Sequence, residues 1–534
     1  MFNSIKYSTI LFTAVLGIVL GVFLNKAFSG DNLRESISKF NDVLTYTEKY
    51  YVEEVDTQKL IESAINGMLN QLDPHSVYIS AKEMTQVEES FRGDFEGVGI
   101  EFQVVNDTLT VVSPITGGPS EALGIMSGDR IIKIDDKPVI GISNDDVRKK
   151  LRGRAGTEVK VTIARVGVSK PLEFNIVRDK IPIYSVDTHF MIDKTTGYVS
   201  VSRFSETTYD ELVDALKDLD SKGMQQLILD LRGNPGGYLS QAVKISDLFI
   251  SGKKKIVYTE GRRKEFDEEY YSSEPSKFEN IPLIVLINRG SASASEIVSG
   301  AIQDLDRGLI VGETSFGKGL VQRQFDLADN SALRLTISQY FTPSGRLIQR
   351  DYKNEKSKED YYSDAGEDEA EGDNLNHTAE QDSAKPEYKT SKGRIVYGGG
   401  GITPDYIVKQ GTITTYTQNL LRKNVFYTYV LSFLDKNGAS IKNKFNDLAA
   451  FKSGYKINDE MMSKFIEFAS GKDVSFNEDE YKKDKEYIIS RLKAQIARNY
   501  WKNEGWYSVL LTTDDQMLKA STLFNEAKNL ANLK

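Results

Sequence analysis

The sequence predicts an α+β multidomain protein, and three observations carry that prediction. The chain has 534 residues, more than a single hydrophobic core usually holds, so roughly two to four folded units are expected. Its apolar periodicity changes along the chain: helical spacing first, then short alternating strands, then strands apolar on both faces, then helical spacing again. An acidic stretch nearly free of aliphatic side chains, 351–387, interrupts the third of these regions.

Composition excludes several classes of function. With 40% hydrophobic and 10% aromatic residues the chain is not wholly disordered. Segment 351–387 holds 13 acidic residues against 4 lysines, which accounts for the entire net charge of -9. The remainder is close to neutral and offers no basic stripe for nucleic acid. Cysteine is absent, so there are no disulfides, thiolate nucleophiles or Cys-bound metals.

Residues 1–29 contain an apolar run of 18 residues, Tyr7 to Leu24, flanked by Lys6 and Lys26. That length is at the lower limit for spanning a bilayer and long for a signal-peptide core. Asn25-Lys26-Ala27-Phe28-Ser29-Gly30 is a poor cleavage site, so an uncleaved anchor is favoured over a removed signal. Residues 30–87 read as a helical unit, with Ile37, Phe40, Val43 and Leu44 and then Ile61, Ile65, Met68 and Leu69 near helical spacing, stopped by Pro74.

A β-rich module is expected over 88–181, from alternating runs at Val98–Val105, Leu109–Val112, Arg130–Ile134 and Val159–Arg165. One short helix, Ser143 to Leu151, interrupts it, with Ser143 as N-cap. An α/β core follows over 182–350 and 388–411, its buried strands at Gly197–Val201, Leu227–Leu231 and Ile281–Ile287. The acidic segment 351–387 is expected to be a disordered insertion in that core. A helical domain is expected over 412–534, with Ile488, Leu492 and Ile496 in register and a capping box from Thr512 to Asp515 before the last helix.

Three segments carry chemistry. Ile281 to Val298 reads as a buried strand, a tight turn and a helix start, with Ser291, Ser293 and Ser295 at the bend. A serine there has its hydroxyl at a helix N-terminus, where free N–H groups stabilise developing negative charge. Spacing alone prefers none of the three. A serine nucleophile needs a base, and the only histidines, His75, His189 and His377, have no motif around them. A lysine serves instead where burial favours its neutral amine, and Phe316-Gly317-Lys318-Gly319 supplies one. The third segment, Leu227 to Gly237, runs a buried strand into a Pro-Gly-Gly loop whose backbone N–H groups suit an oxyanion hole.

Together these segments resemble the carboxyl-terminal processing peptidases, or tail-specific proteases. The resemblance rests on Leu-Asp-Pro-His-Ser at 72–76, Asp-Leu-Arg-Gly-Asn-Pro-Gly-Gly at 230–237, Gly-Ser-Ala-Ser-Ala-Ser-Glu-Ile at 290–297, Phe-Gly-Lys-Gly at 316–319, Tyr-Phe-Thr-Pro-Ser-Gly-Arg at 340–346 and Gly-Ile-Thr-Pro-Asp at 401–405. It implies a crotonase-like α/β peptidase core with an inserted PDZ module. It implies Ser293 as nucleophile, Lys318 as general base and Gln322 as the residue orienting it. The oxyanion hole would come from the N–H of Ala294 and that of Gly236 or Gly237. Gly97, Val98, Gly99 and Ile100 would form the carboxylate-binding loop of the PDZ module, and Arg152 is a candidate switch contact.

The expected activity is that of a serine endopeptidase which engages the C-terminal tail of protein substrates and cuts through an acyl-enzyme, with no cofactor or metal. The partners implied are substrates with exposed C-termini, the membrane through the N-terminal segment, and a homo-oligomer or adaptor. The implied location is the bacterial cell envelope: anchored in the inner membrane facing the periplasm, or exported to it. A membrane-tethered PDZ scaffold with an inactive core is the alternative. A crotonase-like acyl-transforming enzyme explains neither the module nor the Ser-Lys spacing.

Overall fold

The computed structural model describes residues 31–354, 357–363, 371–377 and 385–533. The expected anchor over 1–29 lies outside them, and among the described residues no helix is long and apolar enough to cross a membrane. The chain divides into two compact units, Met1–Tyr78 and Ile79–Lys534.

In the first unit, helix α1 spans Asp31–Tyr50 and α2 spans Thr57–Leu69, the latter capped by Asp56, whose carboxylate accepts the Lys59 N–H. The Leu-Asp-Pro-His-Ser segment closes on itself. Asp73 accepts the N–H groups of His75 and Ser76, both at 2.9 Å, and the Ser76 hydroxyl at 2.6 Å. An aspartate before proline thereby fixes the turn that ends the helical unit.

The second unit opens with α3, Ala81–Arg92, which ends at Gly93 in the left-handed conformation glycine tolerates. The expected start of the β-rich module, residue 88, falls inside this helix. Strand β1, Asp94–Gly97, enters the module and pairs antiparallel with the exit strand, and between them lie β2 (Ile100–Val105), β3 (Thr108–Pro114) and β4 (Arg130–Ile134). Helix α4 (Asn144–Leu151) follows, capped by Ser143 as expected, then β5 (Glu158–Ala164), β6 (Leu172–Val177) and the exit strand β7 (Asp179–Pro182). The sheet order is β2-β3-β4-β5-β6, so β2, which follows the Gly97–Gly99 loop, is an edge strand. Val147 and Leu151 of α4 close the module's core over Val111, Ile131, Val161 and Ile163.

The core holds β8 (Val186–Met191), β9 (Thr196–Val201), α5 (Thr208–Ser221), β10 (Gln226–Asp230), α6 (Leu239–Asp247), β11 (Lys255–Gly261), β12 (Glu268–Tyr271) and β13 (Leu283–Ile287). It continues through α7 (Ala294–Asp304), β14 (Leu309–Gly312), β15 (Leu320–Asp326) and β16 (Ala332–Phe341). Strands β9, β10, β13 and β14 run parallel as neighbours with every residue of β13 and β14 buried, as their two-sided apolar sequences require. Helices α5, α6 and α7 cover one face. Strands β12, β11, β16 and β15 form a second, antiparallel layer in that order.

The disordered insertion expected over 351–387 is corrected where it is described. Helix α8, Lys358–Ser363, buries Tyr361 completely, and strand β17, Gly372–Asp373, pairs with β18, Tyr406–Ile407. His377 is also fully buried, 3.6 Å from Asp405. Few apolar residues suffice here because the segment docks on an existing core instead of building its own.

The C-terminal helices α9 (Thr415–Arg422), α10 (Val425–Lys444), α11 (Leu448–Gly454), α12 (Asp459–Ser470) and α13 (Glu478–Leu510) share a core around Phe451, Phe465, Ile488 and Leu492. The last two, α14 (Asp515–Ser521) and α15 (Phe524–Leu530), do not belong to it. Met517, Phe524 and Ala527 cover the second face of the main sheet, over Ile228, Ile284 and Val311. A strand apolar on both faces needs this second cover, so the expected boundary at 412 groups two cores under one heading. The expected capping box is also replaced: Asp514 caps α14 through the Met517 N–H, and the Thr512 hydroxyl donates back to Val509.

Candidate active site

A cavity of about 1090 Å³ opens where α3, the Pro-Gly-Gly loop, the start of α7 and strands β15 and β16 meet. Ser293, Lys318, Gln322, Gly236 and Gly237 all line it. These are residues singled out in three separate stretches of sequence, and the fold brings them to one wall.

Strand β13 ends at Ile287 and α7 begins at Ala294, so Ser293 sits on a tight strand-to-helix bend. Its φ of 54° and ψ of -111° are strained for a residue with a side chain. The structure separates the three serines. Ser291 is buried and donates its hydroxyl to the Leu231 carbonyl at 2.8 Å, and Ser295 is buried and donates to the Asn234 carbonyl at 2.9 Å. Both tie the bend to the glycine-rich loop. Ser293 alone of the three lines the cavity.

Lys318 precedes β15, and its Nζ donates to Gln322 Oε1 at 3.0 Å. The strand places Gln322 where it can hold the amine.

Sequence reasoning missed the group that joins the two halves, Glu296. It is fully buried, and its carboxylate accepts four hydrogen bonds: from Ser293 N at 2.7 Å, Ser315 Oγ at 2.6 Å, Gly317 N at 2.7 Å and Lys318 N at 2.9 Å. One acid therefore fixes the backbone of both Ser293 and Lys318. Burial pushes its carboxyl up from the ordinary value, and the donated hydrogen bonds pull against that shift. The signal was present as Ser-x-x-Glu at 293–296, the spacing of a capping box.

The glycine-rich loop approaches closely. A side chain at Gly236 would meet Ser293 Cβ at 2.8 Å, and one at Gly237 would meet the Phe204 carbonyl oxygen at 2.0 Å. Gly236 N–H is taken, donating to Asn234 Oδ1 at 2.9 Å. Among the described residues neither Gly237 N–H nor Ala294 N–H donates a hydrogen bond. Buried Asn234 also donates to the Val201 carbonyl at 2.8 Å, which locks the loop to β9.

At the root of that loop Asp230 accepts the Tyr198 hydroxyl at 2.7 Å and pairs with Arg232 at 2.6 Å. Arg232 reaches on to Asp514, the cap of α14, at 2.7 Å and to Gln516 in its first turn at 2.9 Å. Neither His189, which pairs with Asp218 at 3.1 Å near the surface, nor buried His377 lines the cavity.

Residues 97–100 lie apart from this centre, in the β-rich module. Val98 is buried, Gly99 has a φ of 73°, and among the described residues the N–H groups of Val98 and Gly99 donate no hydrogen bond. Arg152, at the end of α4, pairs with Glu89 of α3 at 2.5 Å and lies over the Phe95 ring at 4.7 Å.

The family model described as peptidase family S41 matches residues 195–355, and that of the PDZ domain matches 97–176. Residues 23–83 match the activating protease CtpB N-terminal domain, and 416–502 match a family of unknown function. The chain is 42% identical over 349 residues to a carboxy-terminal-processing protease of Bartonella bacilliformis, covering 63% of this chain and 80% of that one. It is 35% identical over 351 residues to the carboxy-terminal processing protease CtpA of Bacillus subtilis, covering 64% and 74%. Among solved structures, a photosystem II D1 C-terminal processing protease matches at 31% identity and TM-score 0.32, over 57% of this chain and 82% of that one.

Proposed function

The chain belongs to the carboxy-terminal-processing proteases of peptidase family S41, and we propose that it is a serine endopeptidase working through Ser293 and Lys318. The observation that carries this reading is the single buried carboxylate of Glu296 holding the backbones of both residues at one cavity. Lys318, acting as an amine and oriented by Gln322, takes the Ser293 hydroxyl proton as Oγ attacks the scissile carbonyl. The N–H groups of Ala294 and Gly237 receive the oxyanion. Gly236 serves the loop instead, because its N–H is committed to Asn234. Lys318 then returns the proton to the leaving amine, and water attacks the acyl-enzyme by the reverse path.

The PDZ module receives the substrate's C-terminal tail. Edge strand β2 and the preceding loop support this: a peptide adds as a strand while its carboxylate meets the free N–H groups of Val98 and Gly99. Arg152 links the module to α3, the helix that walls the cavity, and so couples tail binding to the reactive centre. The apolar run Tyr7–Leu24 supports placement in a bacterial envelope, anchored in the inner membrane with the peptidase facing the periplasm.

The test is cleavage of an unstructured protein with an apolar C-terminus by the chain from residue 30 onward, beside Ser293→Ala. Cleavage by the parent and none by the variant is expected. Equal cleavage by both removes Ser293 from the mechanism.

A further inference from the structure

Strand β15 carries more than the lysine's partner into the cavity. Gln322 and Gln324 are two residues apart and so project from one face of the strand, and both line the cavity. Directly across the ladder on β16, Arg334 is the register partner of Gln324, as Thr336 is of Gln322. Arg334 also lines the cavity, placing a guanidinium one strand repeat, about 7 Å, from the glutamine that holds Lys318.

The guanidinium is built in. It lies over the Phe91 ring at 5.1 Å and donates to Gln324 Oε1 at 3.2 Å, while Phe91 in turn packs edge-on against Tyr238 at 5.0 Å. Among the described residues no carboxylate lies within ion-pair distance of it. Burial pushes it down from its ordinary value, and the neighbouring Tyr238 opposes this. The other charged residues of the cavity do not supply the missing partner. Arg92 is paired with Asp94 at 2.5 Å, Arg203 and Lys318 carry no negative charge, and Glu88 and Glu206 form no ion pair with Arg334. A half-buried guanidinium with most of its five donors uncommitted, on an aromatic bed beside the reactive centre, is arranged to receive an anion.

We propose that Arg334, braced by Gln324 and Phe91, is a specificity-determining subsite that binds a carboxylate of the substrate polypeptide about two residues from the scissile bond. The distance follows from the register, since an extended peptide advances about 3.3 Å per residue along the same face. The carboxylate comes either from an aspartate or glutamate side chain or from the main-chain terminus of a tail already shortened. This proposal rests on the peptidase reading above.

The experiment uses the chain from residue 30 onward with unstructured peptides of one sequence, in which glutamate or glutamine is placed in turn at each position around the cut. A parallel pair ends the same peptide two residues past the cut as free acid or amide. The readout is the ratio of kcat/KM within each matched pair, so a general loss of activity in a variant cancels. Wild type is expected to favour the carboxylate by about tenfold at one position. In Arg334→Met that ratio falls to near one, and Arg334→Lys recovers part of it. A preference confined to the glutamate series identifies the side chain as the source, and one confined to the free-acid pair identifies the terminus. Ratios near one at every position in wild type, or a preference that survives in Arg334→Met, overturn the subsite while leaving the peptidase intact. Failure of wild type to cut any peptide overturns the peptidase reading and the subsite with it.

Discussion

Carboxylates hold both the reactive centre and the seam between the PDZ module and the C-terminal helices, but they do so under opposite conditions. At the centre Glu296 is fully buried and accepts four hydrogen bonds at 2.6 to 2.9 Å. At the seam Arg498 pairs with Glu101 at 2.9 Å, Arg130 with Asp435 at 2.5 Å and Lys502 with Glu121 at 2.5 Å, all with side chains at least 28% exposed. The apolar part of the seam is four residues, Val105, Val112, Tyr427 and Leu431. Buried, multiply bonded charge has one tolerable geometry, whereas exposed pairs exchange for water at little cost. The residues proposed for the chemistry are thus set in a rigid frame and the PDZ module in a separable one.

The largest expected effects break the rigid side. Ser293→Ala and Lys318→Ala each lower kcat about a thousandfold or more while circular dichroism and thermal unfolding stay near those of the parent, since neither opens a large cavity. Retained turnover in Lys318→Ala at neutral pH would remove it as the base. Glu296→Gln comes next. Its amide must point two donors at N–H and O–H donors, leaving bonds unmade. The variant is expected to lose about 2 to 4 kcal/mol of stability and to cut about tenfold to a hundredfold more slowly. A Glu296→Gln variant that unfolds at the parent's temperature with full activity would show that the two reactive segments hold their places without it.

The two regions were unequally legible in sequence. The strands at 227–231 and 281–287, the serine bend and the glycine-flanked lysine could be read because each is a contiguous pattern with a local physical cause. Glu296 was overlooked because its partners Ser315, Gly317 and Lys318 lie about twenty residues on and meet it only when β13 and β14 pair. That Gly236 N–H is committed and, among the described residues, Gly237 N–H is not depends on the Asn234 side chain, whose direction no periodicity reveals. The docked parts of 351–387 were misread for a related reason: composition reports whether a segment can build a core, not whether it can rest on one. Helices α14 and α15 were assigned to the wrong core because helical spacing gives the apolar face and not its partner.

Two buried carboxylates outside the seam should respond to pH with opposite signs. Burial alone would push Asp405 up, but Arg394 and His377 overcome it and hold the carboxyl down at about 2. A depressed folded-state value contributes stability above the unfolded value, lost as pH falls through the folded one, here about 2 kcal/mol between about pH 4 and 2. Glu296, raised by burial, behaves conversely: its contribution is greatest below the unfolded value and declines as pH rises through the folded one. Denaturant unfolding followed from neutral pH down to about 2 should therefore show the advantage of wild type over Glu296→Gln growing as pH falls toward about 4, and its advantage over Asp405→Asn shrinking below that. A common slope would mean that one of the two is not ionised as described.

The smallest effect is expected at the seam, where it is also the most informative. Along β2, Glu101, Gln103 and Val105 face the C-terminal helices, through Arg498, Asn424 and Tyr427, while Ile100 and Phe102 face the module's own core. The helices therefore hold the back of the strand proposed to receive the substrate tail. Arg498→Glu replaces an attraction with a repulsion, yet at this exposure it should cost under about 1 kcal/mol, less still in high salt. Glu101→Arg in the same chain should restore the pair. If the module is held loosely, the single variant unfolds almost as the parent does, while its KM for tail-bearing substrates changes and its kcat on short peptides does not. A fall in kcat on short peptides comparable to that of Glu296→Gln would show that the seam is part of the rigid frame, and the contrast between the two regions would fail.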